Sequence, residues 1–138
     1  MSNAENKEFM RQYYSLDAHT EAGMQRYLTA HHPEYKAHSV MGDMNLAQAK
    51  QTNLAMLAAF PDLQFNVDDV IAEGDKVVVR YTIVGTNQGS FMGAPPTGKK
   101  ISVSGISIYK IAGGKLVESW GVYDRMQLIQ QVGVQHQK

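Results

Sequence analysis

The sequence predicts an α+β fold, with N-terminal helices packed on one face of a curved antiparallel sheet. Three observations predict it. The apolar period changes once, near Pro61, from a helical spacing to strict alternation. Four long alternating runs follow, separated by glycine-rich turn signals. The chain has 138 residues, which fits a single domain over residues 1–138 with its core over about 5–133. Helices first and strands afterwards argue for helices covering one sheet face, with a cavity between the layers.

Each element has its own signal. Phe9, Tyr13 and Leu16 fall at i, i+4 and i+7, which predicts a helix over about 4–17. Thr20 is the cap of a second helix with the stripe Met24, Tyr27, Leu28 and His31, ended by Pro33. A short isolated strand is expected between Tyr35 and Val40. Leu46, Ala49, Asn53, Met56, Leu57 and Phe60 mark a third helix, stopped by Pro61. Strands are expected over Leu63–Ala72, Lys76–Gly89, Ile101–Ile111 and Lys115–Tyr123. Gly93 to Gly98, with two prolines, is a rigid loop. Met126–Val132 reads as a short closing helix.

Composition narrows the function. Lys and Arg number 13, as do Asp and Glu, so the net charge is zero and a basic nucleic-acid footprint is excluded. Cysteine is absent, which rules out disulfides, thiolate metal sites and a cysteine nucleophile. No His and carboxylate spacing converges on a metal, so no metal site is expected. The N-terminus is polar, without the apolar core of a signal peptide, and no run is long enough to span a membrane. A cytoplasmic location is the expectation. Eight Met and seven Tyr suggest an adaptable apolar cavity with polar handles, while most of them, Tyr13, Tyr14, Tyr81 and Tyr109 included, read as ordinary core residues.

Several ordered motifs carry a resemblance. Ala58-Ala59-Phe60-Pro61-Asp62-Leu63 precedes Ile71-Ala72-Glu73-Gly74-Asp75-Lys76-Val77-Val78-Val79-Arg80-Tyr81. Gly89-Ser90-Phe91, Gly93-Ala94-Pro95-Pro96-Thr97-Gly98-Lys99, Gly114-Lys115-Leu116-Val117-Glu118-Ser119-Trp120 and Asp124 follow. Over roughly residues 5–133 the chain resembles the SnoaL-like polyketide (ester) cyclases of the nuclear transport factor 2-like superfamily. The resemblance implies a cone-shaped α+β barrel, commonly a homodimer through its sheet. It also implies ring closure by an aldol step, without metal or cofactor. Related isomerase or lyase chemistry, namely isomerisation or dehydration, belongs to the same expectation. The expected ligand is a small apolar or carbonyl-containing molecule.

The same resemblance suggests site residues. Leu116, Glu118, Trp120, Val122 and Asp124 share one strand parity, and the resemblance puts Trp120 and Asp124 on the concave face. Asp124 matches the acid/base aspartate of the family; read alone, it equally caps the helix near Met126. His38 matches a pocket histidine of the early strand. Arg80, in an apolar strand, either binds substrate in the cavity or forms an ion pair on an exposed face. Tyr14, Met56 and Phe60 are candidates for the cavity wall. Ser119 stands where many relatives carry histidine, and its parity turns it away from Asp124. His31 and His32 read as helix-end residues, His19 as a turn residue, and His136 as part of a C-terminal tail.

Three functions are therefore open. One is a cofactor-independent acid/base cyclase using Asp124. Another is a non-catalytic binder of the same shape. The third is an epoxide-hydrolase-like enzyme, which needs an Asp–Arg–Asp set for which Arg80 and Asp124 supply two members.

Overall fold

The computed structural model describes residues 1–133, as four helices and six strands. Helix α1 spans Asn3–Tyr14 and α2 spans Glu21–Thr29. Strands β1 (His31–Ser39) and β2 (Gly42–Asn45) lead into α3 (Leu46–Ala59). Then come β3 (Gln64–Glu73), β4 (Lys76–Thr86), β5 (Lys100–Ala112), β6 (Lys115–Tyr123) and α4 (Arg125–Val132). The strands form one unclosed sheet in the order β2-β1-β6-β5-β4-β3. Helix α1 packs on β3 and β4, α3 on β1 and β2, and α4 on β5.

The helix starts obey capping chemistry. Ser2 and Glu5 form a reciprocal capping box on α1, and Asn45 and Gln48 form one on α3. Helix α1 stops at Tyr14, short of the predicted 17, because the Ser15 hydroxyl donates to the Gln12 carbonyl and closes the turn. Helix α2 also ends early. His31 opens β1 instead of closing α2, and Pro33 lies inside that strand, where the register against β6 breaks between His31 and Lys36. The expected strand at 35–40 is neither short nor isolated: β1 pairs parallel with β6 and antiparallel with β2. Strand β2 has four residues and left no periodic signal.

The inner sheet face follows alternation on β4 and β5. Val77, Val79, Tyr81 and Ile83 face inward, opposite Tyr109, Ser107, Gly105 and Val103. The expectation for β6 is corrected. Lys110 pairs with Glu118 but Ile111 pairs with Leu116, so Val117 is an extra residue in a bulge. One extra residue reverses strand parity. Leu116 and Ser119 are both buried inside, while Glu118, Trp120 and Val122 sit on the outer face with Lys110, Ile108 and Ile106. A second irregularity, at Asp68, lets Val67 and Val70 both pair with inward residues of β4.

Candidate active site

Between the inner sheet face and the helices lies a cavity of about 1210 Å³. That exceeds the usual range of small-molecule pockets, about 300–1,000 Å³. Its wall comes from the end of α1, the α1–α2 loop, α3, the start of β3 and the inward residues of β4 and β5. All seven tyrosines of the chain lie on it. Met41, Met44, Met56 and Met92 supply thioethers around them.

The tyrosine hydroxyls are paired in a specific way. Tyr14 and Tyr109 share a hydrogen bond of 2.7 Å. The Tyr81 hydroxyl lies 3.3 Å from the Ser107 hydroxyl, and the Tyr35 hydroxyl lies 2.5 Å from that of Ser119. Gly105 makes room for the Tyr81 ring, since a Cβ there would sit 2.5 Å from it. Burial is the main cause that pushes the hydroxyls of Tyr13, Tyr14, Tyr35, Tyr81 and Tyr109 above the ordinary phenol value. Burial likewise raises Tyr27 to about 12. These groups are therefore neutral donors at physiological pH.

His31 fixes one end of this wall. Its Nδ1 lies 2.7 Å from the Tyr27 carbonyl oxygen, which can only accept, so Nδ1 carries the proton. Burial lowers His31 to about 4, so the ring is neutral and Nε2 is an acceptor. The Tyr13 hydroxyl, 3.1 Å away, must then donate to Nε2. Tyr13 spends its proton on the protein and offers a ligand only lone pairs.

The sequence-predicted residues divide between the cavity and the outside. Tyr14 and Met56 line the cavity. Phe60 is fully buried behind the wall, edge-to-face on Phe91 with ring centres 5.5 Å apart. Asp124 is exposed and is the N-cap of α4, its Oδ1 accepting the Gln127 N–H at 2.9 Å. Its neighbours Tyr123 and Arg125 are on the cavity wall; Asp124 is not. His38 and Trp120 are stacked on the outer face, Trp120 because of the β6 bulge and His38 because Tyr35 and Ala37 take the inward positions of β1. His38 bonds to Asp43 at 2.8 Å and Glu118 at 2.7 Å, and these bonds raise its pKa. Arg80 is also outside, on the face opposite the inward Val79 and Tyr81. Its guanidinium donates to Asp69 at 2.6 and 2.8 Å, with Asp68 at 3.9 Å. Arg80 therefore does not pair with Asp124.

Sequence reasoning assigned most tyrosines to the core, and it read His31 as a helix end. The usable signal was parity: Tyr81 and Tyr109 sit on the buried alternation of β4 and β5. Among the described residues no three His, Cys, Asp or Glu side chains converge as a metal site. No described helix is long and apolar enough to cross a membrane. His136 lies outside the described residues.

Comparisons place this architecture among known proteins. The family profile described as SnoaL-like polyketide cyclase matches residues 7–132. AclR from Streptomyces galilaeus, named as a candidate hydroxylase, is 30% identical with a TM-score of 0.85, covering 96% of this chain and 98% of its own. TsrD from Streptomyces laurentii is 28% identical with a TM-score of 0.80, over 96% of this chain and 98% of its own. A candidate SnoaL-like polyketide cyclase from Jannaschia sp. CCS1 shares the fold, with a TM-score of 0.86 at 21% identity over 97% and 95% of the two chains. A comparison with curated protein sequences finds no match.

Proposed function

The chain belongs to the SnoaL-like polyketide cyclase family, and from that premise we propose that it is a cofactor-independent enzyme acting on a polyketide-like molecule with several carbonyls. The reaction is ring closure of the aldol type, or a related isomerisation or dehydration. The Tyr14–Tyr109 pair on the cavity wall carries this reading. Two hydroxyls hold two protons, and their mutual bond uses one. The other is left for a ligand oxygen. Donated to a carbonyl, it stabilises the negative charge that develops on the oxygen when a neighbouring carbon loses its proton. Neutral phenols suit this task, because they donate without first having to be protonated. The Met and aromatic wall supports an extended apolar skeleton.

A carrier that binds the same ligand unchanged is the second reading. It is favoured by the carboxylates of the wall, Asp17 and Asp62, which are both exposed and already hydrogen-bonded. The Asp68–Arg80–Asp69 cluster lies on the outer face, which argues against an epoxide-hydrolase-like set in the cavity. A second copy of the chain is the proposed partner of that outer face, where Ile71, Ile106 and Val122 are exposed. The functional test is incubation with aromatic poly-β-keto esters. Native mass spectrometry reads retention, and ultraviolet absorbance reads ring closure. A retained ligand converted by the wild type but not by Y14F/Y109F is expected. Retention without conversion supports the carrier, and no retention overturns both readings.

A further inference from the structure

The tyrosine wall supplies acids but no base, and a base is what deprotonation of carbon requires. The wall carries few groups able to serve. Asp62 accepts from the Thr86 N–H at 2.6 Å and the Thr86 hydroxyl at 2.8 Å, and these bonds lower its pKa. His31 lies behind the wall, not on it, and both its ring nitrogens are engaged. His38 is outside the cavity, and His32 is not on its wall.

His19 is different. Five consecutive residues of the α1–α2 loop, 15–19, line the cavity. Within them Asp17 Oδ1 accepts the His19 backbone N–H at 3.0 Å and faces the ring Nδ1 at 3.0 Å. The two bonds from His19 hold the Asp17 carboxyl below the usual range, so it remains an acceptor. Nδ1 is then the protonated nitrogen, and the basic lone pair is on Nε2. Among the described residues Nε2 has no hydrogen-bond partner. The loop is held firmly. Thr20 bonds to the Asp17 carbonyl through its hydroxyl at 2.9 Å while capping α2. Gly23 lets that carbonyl seat against α2, where any Cβ would collide with it.

We propose that His19, oriented by Asp17, is the general base of this cavity. The inference rests on the cavity reading given above. Nε2 takes a proton from the carbon between two carbonyls of the ligand. The C–H electron pair becomes the enolate double bond, and a tyrosine hydroxyl stabilises the charge on oxygen. The enolate carbon then bonds to a second carbonyl carbon, whose π pair moves to its oxygen. That oxygen takes the proton back from the imidazolium, so the base is regenerated.

The probe is ethyl benzoylacetate, a β-keto ester, with the full chain in D2O. Proton NMR reads deuterium uptake at its α-carbon, and titration reads binding. The wild type should bind the probe and accelerate exchange. H19Q should lose at least about tenfold of the protein-dependent rate while the Kd changes less than twofold. With H19A, added 4-methylimidazole should restore exchange. D17N should keep the Kd within about twofold while lowering the exchange rate, because the ring is no longer held with Nε2 as its basic nitrogen. Arg11, Asp17, Asp62 and Arg125 are the other charged groups of that wall. Bound probe with unchanged exchange in H19Q overturns the inference and leaves the cavity reading standing. Loss of binding together with exchange in H19Q and H19A, without rescue, makes His19 structural and also overturns it. Failure of the wild type to bind overturns both.

Discussion

Tyr14 and Tyr109 are 95 positions apart in sequence and 2.7 Å apart at their hydroxyls, one at the end of α1 and the other on the inner face of β5. The pair ties a helix to the sheet at the cavity wall. It is at once a packing contact and, in the proposed reaction, the source of the proton offered to substrate.

Removing one hydroxyl strands the other in a desolvated place. Y14F and Y109F should each cost about 1–3 kcal/mol, the usual penalty for an unsatisfied buried group. The double variant should cost less than the sum, since it leaves nothing stranded. Urea denaturation of the three variants reads this coupling. Full additivity would show that the two hydroxyls do not depend on one another.

His31 makes stability depend on pH. Its folded pKa of about 4 lies below the ordinary value of 6.5, so the unfolded chain binds the proton more readily. Stability from this group is complete above about pH 6.5 and is lost as pH falls toward 4. The shift corresponds to about 3 kcal/mol at most. His38 has the opposite sign: its raised pKa gives a contribution present below pH 6.5 and lost as pH rises through the raised value. Urea midpoints between pH 7 and 4.5 should fall steeply for the wild type and less for H31Q. Parallel curves for the two proteins would remove His31 from the account.

How much of this was legible can be argued from β6. Its existence and ends followed from alternation and from the Gly113-Gly114 turn, and the family from ordered motifs. Its facing did not, because the bulge at Val117 leaves no period signal and reverses everything after it. Hence Trp120 is outside, stacked on the His38 that β1's own alternation turns outward, and Ser119 reaches Tyr35 inside. β4 has no irregularity opposite β5, so Tyr81 faced inward as alternation demands. Arg80, on the same strand, had the opposite parity, and only its partner Asp69 needed the structure. The pairings of tyrosines with distant hydroxyls are long-range contacts that no local pattern encodes.

Asp124 separates a cap from a catalyst. Its carboxyl accepts the Gln127 N–H at the start of α4. D124A should therefore cost about 1 kcal/mol of stability, whereas D124N keeps the cap and should cost little. Both should retain turnover of any substrate within about threefold once folding is normalised. A loss beyond about a hundredfold in D124N, with stability intact, would restore Asp124 to the chemistry.

The outer sheet face carries a contiguous apolar patch. Val122 is 61% exposed and Ile106 46%, paired side by side across β5 and β6, with Ile108 and Trp120 adjacent on the same face. Apolar side chains contiguous on one face mark an interaction surface more often than scattered ones do. The sheet geometry suits a second copy, because a two-fold partner presents the same patch in return. If so, I106K/V122K should sediment as a monomer where the wild type sediments as a dimer. Cavity binding should survive, since the cavity opens on the other face of the sheet. A wild type that sediments as a monomer at 100 μM would reject the interface, and the face would then need a different partner.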